Sequence, residues 1–493
     1  MKTPGVYVKE QSASPNLVVE AATAVPAFIG YTQIAKIGDM SLLNKPVKVN
    51  SLTEFNHYFG YAPSPKFELK EGDAQDFTIS LEGVDNEVVY CVLKRKDRYS
   101  LYYNLRLFFA NGGGYCYIVS VGNYDDELSK DQFISGIDTL LEEQEPTMVL
   151  VPEAVNLENK QDCFDIQTAV LKHCGMIMRN RFAILDIYNG YKDIKDEDVV
   201  SEFREAIGTE FLGFGATYYP WLSTSIVSDE EIDFCNIDKE SWGRLKELLN
   251  AGYPHLSQYI NGIDETKYGK LEFNEINTIN KVLRNHSKFY ADILSAIKLQ
   301  LNLLPPGAAM AGIYTLVDNA KEVWKAPANI GLSNVIGPVV NISHAAQEDL
   351  NVPINGKAVN PIRYFVGEGV KVWGARTLDG NSLDWRYINV RRTMIMLEES
   401  IKNAIKTYVF DANNANTWGS VRSMINNFLN SIWMRGGLTG AAPHDAFSVH
   451  IGLGETMTAE DILDGIMRVS VLVALVRPAE FIEITFQQQM QKS

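Results

Sequence analysis

Long apolar runs are missing from this chain of 493 residues. The longest, Val469–Val476, falls far short of the roughly 20 residues that a membrane-spanning helix requires and reads instead as a buried strand. The opening MKTPGVYVKE has no basic segment followed by an apolar stretch, and Pro4 and Gly5 interrupt it, so no secretory leader is read and the expectation is assembly in the cytoplasm. Cysteine is scarce and unpaired: Cys91, Cys116, Cys163, Cys174 and Cys235 are odd in number and contain no CxxC, which argues against a zinc ribbon or redox dithiol and for buried reduced thiols. Positive charge is deficient too. With 45 Lys and Arg against 61 Asp and Glu, the net charge of −16 repels a phosphate backbone and argues against nucleic acid as a partner.

Catalytic signatures are equally scarce. The sequence contains no GxSxG, HExxH or GxxxxGK[ST], and its seven histidines are dispersed. His444 beside Asp445 reads as a loop residue next to a strand, and His173 beside Cys174 as helix neighbours that point in different directions. Gly367-Glu368-Gly369 lacks the third glycine and following helix that dinucleotide binding needs. No catalytic, cofactor-binding or metal-ligating residue is assigned, no cofactor is expected, and the reading is of a protein that is not an enzyme.

What is present is core material. Hydrophobic residues at 46% and charged residues at 22% are ordinary for a folded globular chain, and the length implies more than one domain. Patterning suggests an N-terminal strand arm and linker (1–20), the start of a core (21–60), an inserted β-rich subdomain (61–114), an α/β domain (115–227), a helical insertion decorating its outer face (228–304), the end of that domain (305–378), a C-terminal domain (379–479) and a C-terminal strand arm (480–493). Short apolar runs at Ala24–Tyr31, Tyr115–Val121, Thr147–Val151 and Arg181–Ile187 alternate with helical stretches, the signature of a parallel α/β sheet.

The last third is the best patterned. Val390–Phe410 places Met394, Leu397, Ile401, Ile405 and Tyr408 on one helical face, and Trp418–Arg435 does the same with Val421, Ile425, Phe428, Leu429 and Ile432 before Gly436-Gly437 ends it. Thr458 reads as the cap of a short helix. Glu480–Gln487 (EFIEITFQ) alternates as a strand, with Ile482, Ile484 and Phe486 on one face.

Several of these stretches in one order resemble the phage tail sheath protein family: PGVYVKE (Pro4–Glu10), TAVPAFIGYT (Thr23–Thr32), PPGAAMAGIYTLVDNAKEVWKAPAN (Pro305–Asn329), NPIRYFVGEGVKVWGARTL (Asn360–Leu378), WRYINVRRTMIMLEESI (Trp385–Ile401) and VRPAEFIEITFQQQ (Val476–Gln489). The resemblance implies a subtilisin-like α/β core plus an α+β C-terminal sheath domain, with β-rich and helical insertions and strand-exchanging terminal arms. It implies a contractile sheath subunit of a phage-tail-like injection system, polymerising with itself as stacked helical rings around an inner tube protein, alongside baseplate and cap proteins, without nucleic acid or membrane insertion. The alternatives are the tail sheath of a contractile-tailed phage virion and a non-contractile cap or baseplate protein. The particle would act outside the cell, docked to an envelope, or as a phage tail. Strands at both extremes of the chain suit addition to a neighbour's sheet, through Val6, Tyr7 and Val8 at one end and Ile482, Ile484 and Phe486 at the other. The family analogy points to Trp418–Arg435 as the helix facing the tube, with Arg422 and Arg435 as charged contacts; the competing reading is that this helix only packs its own core.

Overall fold

The run PAFIGYT at Pro26–Thr32 (β1) is buried at every residue, which a strand achieves only when both faces of its sheet are covered. In the computed structural model, which describes residues 18–71, 78–82, 88–95, 98–264 and 271–483, β1 lies within a nine-stranded sheet. Its other strands are β2 (Pro46–Val49), β3 (Cys116–Asn123), β4 (Met148–Leu150), β5 (Phe182–Asp186), β6 (Gly215–Tyr219), β7 (Ile330–Gly331), β8 (Asn360–Phe365) and β9 (Gly369–Val372). The order across the sheet is β7-β9-β8-β6-β5-β4-β1-β3-β2. The six strands from β8 to β3 run parallel, and antiparallel strands close both edges. The expectation of an α/β chain with a parallel sheet therefore holds.

Period-2 alternation sends successive side chains into two cores. Phe28, Ile118, Met148, Leu150, Ile184 and Tyr218 face one, together with α1 (Leu101–Ala110), while Ala27, Ile29, Val119, Val149 and Leu185 face the other, with α2 (Lys130–Thr139) and α3 (Lys160–Lys172). The first core also takes α4 (Gly307–Lys321), whose small residues explain the motif PPGAAMAG: a Cβ at Gly312 would stand 2.6 Å from the Phe108 carbonyl oxygen, so only glycine lets α4 lie this close to α1. Phe108 meets Phe28 edge-on with ring centroids 5.1 Å apart, and the Tyr218 and Tyr314 hydroxyls share a 2.6 Å hydrogen bond.

Several expectations are corrected. The stretch 61–114 is not wholly an inserted β subdomain: Phe67–Glu71, Thr78–Glu82 and Val88–Arg95 form a separate three-stranded sheet, but α1 belongs to the main core. Residues 228–304 do not merely decorate an outer face, because Ile232, Phe234, Trp242, Leu245, Tyr290 and Ile293 are fully buried in the same cluster as Phe28. The end of the helical insertion expected over 228–304 is two helices, Phe273–His286 and Lys288–Leu301, separated at Ser287, whose hydroxyl accepts the Tyr290 amide at 3.2 Å. Cys116, Cys163 and Cys174 are buried free thiols and Cys235 is partly buried; burial pushes all four thiol pKa values up.

The chain divides into two units. The larger spans Ala24–Glu322 and Pro327–Ile388, and the smaller takes Val323–Ala326 and the chain from Asn389 onward, together with the N-terminal segment up to Thr23. The smaller unit is organised by α5 (Ile388–Ile405) and α6 (Ala415–Met434) beside a two-stranded sheet of β10 (Phe447–His450) and β11 (Ser470–Val473), with a short α7 (Ala459–Leu463) between those strands in sequence. Asn414 caps α6 by accepting the Asn416 and Thr417 amides at 3.0 and 3.2 Å, and Gly436, at φ +84°, ends it. Thr458 caps α7 as its sequence suggests, accepting the Asp461 amide at 3.2 Å.

Two strand expectations change here. Val469–Val476 is not a buried strand: only Ser470–Val473 is β, and Ser470 and Leu472 are exposed while Val471 and Val473 are half-buried, because this sheet is covered on one face alone. Glu480–Gln487 was expected as a strand, but residues 480–483 are not in one, and Ile482 stands exposed. Val6, Tyr7, Val8, Ile484 and Phe486 lie outside the described residues.

Candidate assembly interface

The amphipathic pattern of α5 is interrupted by polar residues on its buried side, and each holds a different part of the chain. Asn389 donates through Nδ2 to the Trp324 carbonyl at 2.9 Å and to the Val476 carbonyl at 3.0 Å. Arg392 donates to the Thr23 carbonyl at 2.8 Å, and the Ser400 hydroxyl accepts the Ala21 amide at 2.8 Å. All three side chains are almost fully buried, so loss of their partners would leave a buried polar group stranded. One helix thus roots the segment that leads in from the N-terminal stretch, the Val323–Ala326 strap, and the segment that leads out toward the C-terminal stretch.

Sequence reading missed Asn389, Arg392 and Ser400. The signal that would have found them is polar residues where α5's apolar face should continue, since buried polar side chains persist only with partners.

The sheet beside these roots is incomplete. β10 and β11 pair antiparallel from Phe447↔Val473 to His450↔Ser470, and among the described residues no third strand joins them. Past β11 the chain continues through an isolated bridge between Leu438 and Leu475, with the Thr439 amide donating to the Ala474 carbonyl at 2.8 Å. Two strands alone are marginal in water, and an outward Leu472 adds apolar surface to an already open sheet.

The two arginines expected at an inner-tube contact are both engaged within the smaller unit. Arg422 pairs with Glu455 at 2.7 Å and also donates to the Ile451 carbonyl. Glu455 in turn bonds His450 Nδ1 at 2.7 Å, and the His450 hydrogen bond, then Arg422, hold its carboxyl below the usual range. Arg435 pairs with Glu20 and lies over the Trp324 ring, 5.1 Å from its centroid. These arginine pairs are partly exposed and screened by solvent, so their effect is to fix geometry more than to add stability.

The residues weighed for catalysis have structural surroundings. His173 is buried with Nε2 2.9 Å from an Arg181 nitrogen, and burial, then the Arg181 charge, pushes its pKa down to about 4. His444 and Asp445, read from sequence as a loop, stand 3.5 Å apart on the short helix Pro443–Ala446, and Gly367 and Glu368 lie in the turn of the β8–β9 hairpin, which Gly369 leaves as the first residue of β9.

Residues 381–489, which contain α5 through β11 and the C-terminal root, match the phage tail sheath C-terminal domain family. The tail sheath protein of Enterobacteria phage T4 is 27% identical over 135 residues, and that of Vibrio phage KVP40 is 27% identical over 138. Each match covers 27% of this chain and 20% of its relative, so the likeness spans only about a fifth of the curated relatives. Solved structures are alike over nearly the whole chain. The sheath complex of an extracellular contractile injection system, PVC, in its contracted state superposes with a TM-score of 0.61 at 27% identity, covering 99% of this chain and 98% of that one. The contracted helical sheath of the anti-feeding prophage gives 0.62 at 25% identity, covering 99% and 100%.

Proposed function

We propose that this chain is the sheath subunit of a contractile, phage-tail-like injection particle, polymerising helically around an inner tube and driving that tube through a target envelope by contracting. The observation that carries this reading is the likeness to contractile injection sheaths over 99% of the chain, including the larger unit that the phage tail sheath matches do not span. The likeness of nearly the whole chain to injection-system sheaths supports an injection particle over a phage virion. The particle would work outside the cell, and no helix among the described residues is long and apolar enough to cross a membrane.

In this reading the larger unit is the subtilisin-like core and the smaller one the assembly module. The arms bearing Val6, Tyr7 and Val8, and Ile482, Ile484 and Phe486, add strands to the sheets of neighbouring copies. The two-stranded β10–β11 sheet and the shared rooting of both chain ends on α5 support this, since an open sheet offers main-chain hydrogen bonds and a rooted arm transmits force. A contact between unlike surfaces that does not close on itself builds a helix, as a sheath requires. Contraction is then a repacking of bodies between two lattices while the arms stay paired. α6 faces the inner tube, and Arg422 and Arg435 are its proposed contacts.

Electron microscopy of the purified chain, alone and with its tube protein, tests the reading: long hollow helical cylinders are expected. Small closed assemblies only would favour a cap or baseplate role, a second reading supported by the likeness to a chain of the anti-feeding prophage baseplate, with a TM-score of 0.59 and 26% identity.

A further inference from the structure

The turn after α5 holds an aromatic residue in an unfavourable place. Phe410 adopts φ +74°, a region that bulky side chains avoid, and its side chain is fully exposed beside the exposed Val409. The turn is nevertheless held in place. The Asn413 side chain accepts from Trp418 Nε1 at 2.7 Å and donates to the Ile466 carbonyl at 3.1 Å, and the Asp411 amide donates to the Tyr408 carbonyl at 3.0 Å. The Asn413 bond brings in a second fixed loop, where the Ile466 amide bonds the Asp461 carbonyl at 2.7 Å and which carries the exposed Leu463 and Ile466. The smaller unit therefore exposes Val409 and Phe410 on one segment and Leu463 and Ile466 on another, the two joined through Asn413. Near them in sequence stand exposed Asp411, Glu460 and Asp464, with Lys406 and the Asp461-paired Arg468 as cations, and neither Asp411 nor Asp464 enters an ion pair among the described residues.

On the larger unit, one face of the β8–β9 hairpin has the opposite character. Arg363 and Lys371 are cross-strand partners, an arrangement that like charges disfavour. Phe365 and Trp373 pack beside them, tilted by 53° with centroids 4.6 Å apart, and the Arg363 guanidinium lies 5.5 Å over Phe365. Glu368 pairs with Lys371, so the positive charge of this face rests on the Arg363 guanidinium, in a chain whose net charge is −16. Trp and Arg in such a cluster are the side chains that dominate binding hot spots.

We infer that the Phe410 knob of one copy seats on the Arg363–Trp373 hairpin face of the next copy, a contact additional to any exchanged strand. The inference rests on the reading that the chain polymerises. Its occupant is a second copy because the acid-rimmed apolar knob and the cationic aromatic face complement each other in charge and are carried by one sequence. Joining unlike surfaces, the contact propagates as a helix and does not close as a dimer. A preorganised knob also loses little freedom on docking, which accounts for holding Phe410 in a conformation that costs energy in the free chain.

Two separately purified variants, Phe410→Cys and Val366→Cys, test the contact. Mixed under mild oxidation they are expected to form disulfide-linked heterodimers at least about tenfold faster than Phe410→Cys mixed with the exposed control Tyr61→Cys, and equal rates would overturn the inference. Because each chain carries one partner, the bond reports contact between copies even where no tube forms. In the assembly assay, Asp411→Lys and Lys371→Glu are each expected to reduce polymer about tenfold, and mixing the two variants to restore it. Wild-type polymerisation by both single variants would sink the inference and leave the sheath reading intact. Absence of tubes from the unaltered chain would sink the sheath reading instead.

Discussion

Glu153 is the most consequential buried side chain. Its carboxylate accepts the amides of Tyr31, Ser100 and Leu101 at 2.7, 2.6 and 2.9 Å, joining β1 at its register shift to the start of α1. Burial nonetheless pushes its pKa up to about 7, the three amides only partly opposing, and Asp186 behind the Gly307 amide is raised to about 7 likewise. The folded chain therefore holds protons that the unfolded chain releases near pH 4. Their stabilisation is complete below that pH and is lost as pH rises through about 7. Urea titrations should show the wild type losing on the order of 3 kcal/mol per group between pH 4.5 and 8 relative to a variant without it. Glu153→Gln should flatten that slope, and a variant that tracks the wild type at every pH would refute the assignment.

At the scale of elements, the closest helix packing and the root helix make separate predictions. Gly312→Val drives a Cβ into the Phe108 carbonyl and should cost about 1–3 kcal/mol in chemical denaturation, since backbone on backbone leaves little room to relax. Asn389→Ala strands the Trp324 and Val476 carbonyls and should cost about 1–3 kcal/mol. Hydrogen exchange should quicken around residues 474–476 in that variant while β1 and β3 stay protected; uniform loss of protection would mean that α5 is not a local root. The helices themselves were legible, because α6 keeps an unbroken apolar face and has a glycine at its end. The break at Ser287 was not, since serine caps a helix or rides within one according to its surroundings.

For the whole molecule, strand exchange predicts that deleting Met1–Glu10, or replacing Ile482 and Ile484 with charged residues, leaves circular dichroism and melting unchanged but abolishes sheath formation in electron micrographs. Wild-type tubes from either variant would end the strand-exchange model.

Local pattern alone determined the α/β class, the amphipathic helices of the last third, the caps at Thr458 and Gly436, and the sheath resemblance, because each rests on residues close together in the chain. Only the tertiary structure decided that residues 228–304 complete the main core, that Val469–Val476 lies half open, and that Asn389, Arg392 and Ser400 gather three distant segments onto one helix. Those outcomes depend on which surfaces meet. Burial and hydrogen-bond partnership are properties of pairs of segments, and periodicity along one segment carries no record of the other.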